Sequence, residues 1–208
     1  MLVPEKYYHI YNRANGDENL FRSEENFRFF LRKYQLYINS WIDTFAYRLM
    51  PNHFHIFIRV KTLDEINNSA KNNSEFAPSK ILNFGRDEEL SVAVSKQFSK
   101  LFSSYTQALN KQIGRTGSLF QKNFKRKEVT HLSYFQNLII YIHSNPIFHG
   151  FTSGMRDWAF TSYQTILSTA PTSLNRTEVI EWFDSVKNFE FCHQQAVDLK
   201  QINELAFD

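Results

Sequence analysis

The sequence offers almost nothing that could crosslink the chain or anchor it in a membrane. Its 208 residues include a single cysteine, Cys192, which excludes an internal disulfide and a zinc site built from cysteines. This cysteine usage fits a reducing compartment, so we expect a cytoplasmic protein. No apolar run is long enough to span a membrane, and the first residues lack the pattern of a secretory signal.

Positive charge is concentrated in one part of the chain, although the net charge is only +3. No acidic residue lies between Glu89 and Glu128. The basic residues in that interval are Lys96, Lys100, Lys111, Arg115, Lys122, Lys125, Arg126 and Lys127. A basic surface of this kind attracts phosphate groups. A solvated helix face that happens to be basic would give the same pattern, so charge alone favours neither interpretation.

The spacing of apolar residues predicts a mixture of strands and helices. Alternation predicts strands over residues 6–13, 41–49, 53–60 and 118–129, with a hairpin turn at Met50-Pro51-Asn52. Helical spacing predicts helices over 23–39, 91–113 and 130–145. The last helix should stop at Asn145, because a residue before proline disfavours the helical conformation. The polar residues 61–90 predict a mobile connection.

This order of elements predicts an α+β fold in which an antiparallel β-sheet is sandwiched by helices. The length fits one domain, which we place at residues 1–165, with a C-terminal helical extension at residues 166–208. Within the extension, EVIEWFDSVKNF has apolar residues at helical spacing. We therefore expect it to pack on the core or on a neighbour.

The first candidate for chemistry is the pair His53 and His55. In a strand, residues two apart point to the same face, so both imidazoles project together while Phe54 points into the core. Two convergent imidazoles can form half of a metal site. Histidines on a strand face without any ligand are common, so the pair needs a third ligand to support this interpretation.

The second candidate is the pair Tyr141 and Asn145, in the segment YIHSNP. Residues four apart lie on one helix face. The amide oxygen of Asn145 suits a hard cation, and Tyr141 would hold its hydroxyl beside that cation. A helix that simply ends at Asn-Pro, with a tyrosine packed one turn earlier, would show the same residues. Combined with the two histidines, the pattern indicates a metal that polarises a phosphodiester and a tyrosine that attacks phosphorus.

Several segments, taken in order, resemble one family of proteins. They are YYHIYNRANGDENLF, AYRLMPNHFHIFI, GRTGSLFQKNFK, YIHSNPIFHG and DWAFTSYQ. They are similar to segments of the insertion-sequence-200-like HUH transposases, and most of all to the REP-associated tyrosine transposases. The resemblance spans residues 7–164, and its most specific part is MPNHFH followed by YIHSNP.

The resemblance implies an HUH (ferredoxin-like) transposase fold and an enzyme that cuts single-stranded DNA at hairpin-flanked sites. It implies that His53, His55 and Asn145 hold the metal, and that Tyr141 is the nucleophile, which forms a 5′-phosphotyrosine and releases a 3′-hydroxyl. The cofactor would be Mg²⁺ or Mn²⁺, since both accept histidine and oxygen ligands. The partner would be single-stranded DNA with hairpins or palindromes. The resemblance leaves open whether the protein acts as a monomer or as a homodimer.

Other residues in the basic interval have weaker roles assigned to them. Tyr105, in SSYTQALN, is an alternative nucleophile, but its neighbour Asn110 is five residues on and points to a different helix face. Tyr141 is favoured because it has a polar ligand four residues later. The residues predicted to contact DNA phosphates are Arg115, Lys122, Lys125, Arg126 and Lys127.

Three other functions compete with a transposase. A relaxase or replication initiator would share the nucleophile and the metal, although chain length and the YIHSNP block argue against it. A non-catalytic descendant would bind single-stranded DNA or regulate, and the presence of all four candidate residues argues against that loss of chemistry. A metalloenzyme acting on small molecules would leave the basic interval without a purpose.

Overall fold

The computed structural model describes residues 1–71 and 81–195. Their elements, in chain order, are β1 (Tyr7–Arg13), α1 (Glu24–Ile38), β2 (Ile42–Met50), β3 (His53–Val60), α2 (Leu63–Lys71), α3 (Asp87–Ile113), β4 (Lys125–Val129), α4 (Leu132–Phe148), α5 (Tyr163–Leu167), α6 (Arg176–Trp182) and α7 (Val186–Gln194). None of the helices in these described residues is long and apolar enough to cross a membrane.

The strands form one antiparallel sheet in the order β2-β3-β1-β4. The predicted hairpin is present, with Met50 of β2 opposite His53 of β3. Helices α1 and α3 pack on one face of the sheet, and α4, α6 and α7 pack on the other. The predicted α+β fold, with an antiparallel sheet between helices, is therefore confirmed.

Alternation along the strands divides the interior into two hydrophobic cores. Phe54 and Ile56 of β3 point towards α1 and α3, whereas Phe57 points towards α4. We call the two sides of the sheet the α3 face and the α4 face. Aromatic side chains fill much of both cores, which accounts for part of the 16% aromatic content and contributes large buried areas.

A β-bulge interrupts the pairing of β2 with β3. Thr44 lies opposite Ile58, but Ala46 lies opposite Phe57, so Phe45 is an extra residue in β2. A bulge of this kind changes which face the following residues occupy. Phe45 is fully buried and packs in the core on the α4 face.

The described part of the predicted C-terminal extension packs on the α4 face. Val179 of α6, Phe183 at the end of that helix and Phe189 of α7 are fully buried in the same core as Phe57. The amphipathic pattern of EVIEWFDSVKNF is thus realised as two short helices joined at a turn. Residues 196–208 of the predicted extension lie outside the described residues.

The structure corrects three details of the sequence-based assignment. The stretch expected to be a mobile connection contains α2 and the first turn of α3, while residues 72–80 of it lie outside the described residues. The strand predicted from residue 118 begins only at Lys125. The reason is that Gly117 and Asn123 have positive φ angles of 84° and 63°, which are incompatible with an extended strand.

The third correction concerns the end of α4. This helix does not stop at Asn145 but continues through Pro146 to Phe148. The carbonyl of Asn145 accepts a hydrogen bond from the His149 amide (3.0 Å), and the carbonyl of Pro146 accepts one from the Phe151 amide (2.9 Å). These bonds stabilise the final turn, and they outweigh the preference of a residue before proline for an extended conformation.

Candidate active site

The two histidines of MPNHFH lie together on the α4 face. The rings of His53 and His55 are edge to face with their centroids 5.4 Å apart, while Phe54 between them is fully buried on the α3 face. In the sheet, His55 lies opposite Tyr11 of β1, and the two rings stack at 5.4 Å. Antiparallel pairing thus surrounds the histidines with residues from β1 and β2.

Hydrogen bonds hold one nitrogen of each histidine. Nδ1 of His53 is 2.6 Å from the amide oxygen of Asn52, so it donates and leaves the lone pair on Nε2. Nδ1 of His55 is 2.7 Å from Nε2 of His9; with the proton on His55 Nδ1, its Nε2 also carries a lone pair. Metal-binding histidines are commonly oriented by such a bond from the second nitrogen.

Burial keeps these imidazoles neutral. It lowers the pKa of His9 and of His53 to about 3, and it lowers the pKa of His55 well below the ordinary value. The positive charge of Arg48 is the second cause in all three cases. A neutral imidazole is the form that binds a metal, since the lone pair is then free of a proton.

Helix α4 brings Tyr141 and Asn145 to the histidines. The Tyr141 ring centroid is 5.6 Å from that of His55, and the ring of His149 is 5.6 Å from that of His53. Asn145 is four residues from each of these helix positions, so it lies on the same side of α4 between them. Its Oδ1 atom is buried without a hydrogen-bond partner, which is unusual for an amide oxygen.

These residues fit a divalent cation. The available donors are two imidazole nitrogens and one unpartnered amide oxygen, a combination that Mg²⁺ and Mn²⁺ accept. The described residues contain no cluster of three or more His, Cys, Asp or Glu side chains suited to a metal. The third ligand of the predicted set is the amide of Asn145, which does not belong to these residue types.

A buried arginine completes the site. Arg48 lies opposite His55 in the sheet and its side chain has 0% exposure. Its Nη2 atom donates to Nε2 of His53 at 3.0 Å, and its guanidinium carbon lies 5.4 Å from the centroid of the Tyr141 ring. Burial lowers the pKa of Arg48 to about 9, while an electrostatic interaction and a hydrogen bond with Tyr141 act in the opposite direction. Arg48 is therefore still protonated at neutral pH.

The predicted DNA-binding residues of β4 divide between the two faces. Lys125 and Lys127 lie opposite Tyr11 and His9 and so belong to the α4 face, whereas Arg126 belongs to the α3 face. Lys122, Lys125 and Arg126 also line a cleft of about 1250 Å³ between α3 and the segment before β4. The other lining side chains are mostly hydroxyls and amides, including Asn12, Asn15, Ser99, Ser103, Thr106, Gln107 and Asn123.

Arg115, also predicted to contact DNA, is held by hydrogen bonds within the protein. Its Nε and Nη2 atoms donate to both carboxylate oxygens of Glu18, at 2.5 and 2.6 Å. Its other donors reach the side chain of Asn110 and the carbonyls of Gly117 and Ser118. These contacts use all five guanidinium N–H groups. Arg115 therefore stabilises the turn that follows α3, and these contacts would compete with the DNA contact predicted for it.

The alternative nucleophile is not brought to the histidines. Tyr105 is buried in the core on the α3 face, and its hydroxyl donates to the carbonyl of Leu20 at 2.5 Å. Burial raises its pKa. The sheet separates Tyr105 from His53 and His55, whereas Tyr141 packs directly against His55.

A chain of buried hydrogen bonds connects α4 with α7. His193 donates from Nδ1 to the carbonyl of Phe189 (2.7 Å), so its Nε2 accepts from Nδ1 of His143 (2.9 Å). Nε2 of His143 in turn accepts from the hydroxyl of Ser162 (2.7 Å). Burial lowers the pKa of both histidines, to about 4 for His193. These hydrogen bonds require both imidazole rings to be neutral. They hold α4 in place at His143, two residues after Tyr141.

Sequence reasoning missed His9 and Arg48. His9 alternates with Tyr7 and Tyr11 in β1, but its contact with His55 depends on β1 pairing with β3, which spacing does not reveal. Arg48 carried a usable signal, since it is the single charged residue in the otherwise apolar run from Phe45 to Met50. Charged side chains are rarely buried, so an arginine in an apolar strand is a candidate for a functional role.

Comparison with known proteins supports the fold. No family model matches the chain, and no curated protein matches it. A solved structure described as a REP-associated tyrosine transposase bound to a REP hairpin is similar, with a TM-score of 0.52 and 14% sequence identity. The match covers 82% of this chain and 86% of that chain. At this identity the likeness establishes a shared fold: an antiparallel sheet with helices on both faces.

Proposed function

We propose that this protein is a single-tyrosine DNA transposase that cuts and rejoins single-stranded DNA. The observation that carries the proposal is the packing of Tyr141 against His55, with the unpartnered Oδ1 of Asn145 on the same side of α4. The similar fold belongs to a tyrosine transposase bound to a hairpin, which supports DNA with hairpins as the partner.

The proposed reaction is a transesterification at phosphorus. The phenolic oxygen of Tyr141 bonds to phosphorus while the bond from phosphorus to the 3′-oxygen breaks, so the 3′-oxygen leaves as a hydroxyl after taking a proton. The product is a 5′-phosphotyrosine, which preserves a phosphodiester bond. Attack by the 3′-hydroxyl of another strand reverses the step and releases Tyr141.

His53, His55 and Asn145 would hold the divalent metal. When bound, the metal would act as a Lewis acid on a phosphate oxygen and neutralise part of the charge that develops there. The hydrogen bonds from His53 to Asn52 and between His55 and His9 orient the rings for this role. A metal on Nε2 of His53 would replace the hydrogen bond from Arg48.

Two groups of basic residues would contact the DNA strand. Lys125 and Lys127 lie on the α4 face, opposite Tyr11 and His9, where they would neutralise phosphates of the bound strand. Lys122 and Arg126 line the polar cleft, whose hydroxyl and amide groups can hydrogen-bond to base edges. The cleft and the tyrosine lie at opposite sides of β4, so a strand that contacts both must pass around this edge of the sheet.

The decisive experiment is to trap the covalent intermediate. The protein would be incubated with Mn²⁺ and hairpin-bearing single strands from the DNA that flanks its gene, and any adduct would be mapped by peptide mass spectrometry. We expect an adduct on Tyr141, which Tyr141→Phe abolishes and Tyr105→Phe retains. Duplex DNA of the same sequence should give none.

Other results would change the proposal in defined ways. An adduct on Tyr105 would keep the reaction class and overturn the assignment of the nucleophile. Tight binding of single strands without an adduct, in the presence or absence of Mn²⁺, would favour a non-catalytic DNA-binding protein with the same fold.

A further inference from the structure

The most unusual group in the molecule is the guanidinium of Arg48. It is fully buried, and none of the ion pairs among the described residues includes it. Two of its nitrogen atoms, Nε and Nη1, are buried without any hydrogen-bond partner. A buried charge that lacks a counter-charge is strongly unfavourable to folding.

Among the described residues, the contacts of Arg48 include no carboxylate. Its guanidinium donates to the neutral ring of His53 and lies over the ring of Tyr141, with which it also forms a hydrogen bond. His55, opposite it in the sheet, is also neutral. By contrast, Arg59, a partly buried arginine of the same sheet, is paired with Asp43 and Glu65. An arginine that served only to stabilise the fold would be expected to have such partners.

An unpaired buried cation with free donors is suited to bind an anion. Guanidinium groups prefer the oxygens of phosphate and carboxylate, with which they form short, charge-assisted hydrogen bonds. The position of Arg48 beside Tyr141 favours the anion that the tyrosine attacks. His53 is only partly buried and the neighbouring His149 is exposed, so an anion can approach Arg48 from this end of the sheet.

We propose that Arg48 binds a non-bridging oxygen of the phosphodiester that Tyr141 attacks. This inference rests on the proposed transposase function. In the reaction, the N–H groups of Arg48 would hold the phosphate oxygen while the phenolic oxygen of Tyr141 bonds to phosphorus and the 3′-oxygen departs. The guanidinium donates hydrogen bonds only and transfers no proton, since it remains protonated throughout.

The first test measures anion binding without any DNA chemistry. Inorganic phosphate would be titrated into the metal-free protein at constant ionic strength, with ³¹P line broadening as the readout. We expect Arg48→Met, which keeps the length of the side chain, to weaken phosphate binding by about tenfold or more. Arg28→Gln removes an exposed cation of α1 on the other face and serves as the control, with a change below about twofold.

The second test separates this role from a structural one. Because Arg48→Met replaces an unpaired buried charge with an apolar side chain, the variant should resist urea at least as well as the parent protein. Arg48→Lys keeps the charge and should retain part of the phosphate affinity. Unchanged phosphate binding in Arg48→Met would overturn the proposal. It would also be overturned if Arg48→Met and Arg48→Lys both lost resistance to urea while their folded molecules still bound phosphate as the parent protein does.

The outcomes also distinguish this inference from the proposed function. If the parent protein forms the Tyr141 adduct and Arg48→Met forms it at the same rate, the transposase proposal stands and the role of Arg48 is refuted. If no adduct forms with the parent protein but phosphate binding requires Arg48, the anion site stands and the transposase reaction does not.

Discussion

The two faces of the sheet are built from similar aromatic residues, but they differ in whether their buried polar side chains have hydrogen-bond partners. On the α3 face, the hydroxyl of Tyr105 donates to Leu20 and the hydroxyl of Tyr34 pairs with Thr44. On the α4 face, buried polar atoms are left over. Among the described residues, the buried side-chain atoms without a partner are Nδ1 of His9, Nε and Nη1 of Arg48, the hydroxyl of Tyr134 and Oδ1 of Asn145.

All of these unpartnered atoms belong to residues on the α4 face of the sheet or on α4 itself. Unsatisfied buried groups are costly, and natural proteins keep few of them. Their concentration on one side supports the proposal that the ligand-binding groups of this protein lie on the α4 face. Where a natural protein leaves buried polar atoms without partners, a functional site is the expected location.

The largest contrast should come from the two buried tyrosines. Tyr141→Phe should reduce strand cleavage by about 10³-fold or more, because it removes the attacking oxygen. Tyr105→Phe should leave cleavage nearly unchanged and lower the free energy of unfolding by about 1 kcal/mol, because the carbonyl of Leu20 loses its donor. Denaturing gels and urea unfolding would measure the two effects. The reverse result would exchange the roles of the two faces.

Acid should destabilise the protein through the α4 face, where the buried histidines lie. Burial lowers the pKa of His193 from 6.5 to about 4, so the unfolded chain binds protons more readily than the folded one. The contribution of neutral His193 to the free energy of unfolding, about 3 kcal/mol, is fully present above pH 6.5 and is lost as the pH falls through about 4. His193→Gln should flatten the decline in unfolding free energy with falling pH. An equally steep decline in that variant would exclude His193 as a cause.

Asn145 offers a smaller and more specific contrast. Asn145→Leu removes the unpartnered amide oxygen and keeps the volume of the side chain, so we expect no loss of stability. If the oxygen is a metal ligand, affinity for Mn²⁺ should fall by about 10- to 100-fold. Titration of Mn²⁺ followed by electron paramagnetic resonance would measure this. Asn110→Leu, near the turn after α3, is the control and should leave Mn²⁺ affinity as it was.

The smallest expected effect separates Arg126 from Arg115. Arg126 is exposed in the cleft, and Arg126→Gln should reduce the slope of the logarithm of DNA affinity against the logarithm of salt concentration by about 1. Arg115→Gln should leave that slope unchanged, because its guanidinium is already used by Glu18 and the turn. Fluorescence anisotropy with a single-stranded hairpin at several salt concentrations would compare them. A change of slope in both variants would return Arg115 to the DNA contacts.

Local periodicity was sufficient to predict much of this arrangement. The alternation of β3 predicted that His53 and His55 share a face, and the helical repeat predicted that Tyr141 and Asn145 share a side of α4. Spacing within one element is enough for such statements. The α+β fold followed from the order of elements in the same way.

Contacts between elements were beyond local periodicity. The approach of His9 to His55 depends on the position of β1 beside β3, which no spacing in the sequence specifies. At the end of α4, backbone hydrogen bonds in the last turn outweighed the local preference of Asn145 before proline. The pairing of Arg115 with Glu18 could not be predicted either, because the two residues lie far apart in sequence.

The bulge at Phe45 makes the register of Arg48 independent of the first half of β2. The hairpin turn places Met50 opposite His53, and counting back from it places Arg48 opposite His55 whether or not Phe45 is present. Thr44 lies opposite Ile58, so a chain without Phe45 would simply pair without a bulge. Related chains could therefore lose a codon between Thr44 and Arg48 and keep Arg48 on the α4 face. A codon gained or lost between Arg48 and His53 would instead change which side chain lies opposite His55.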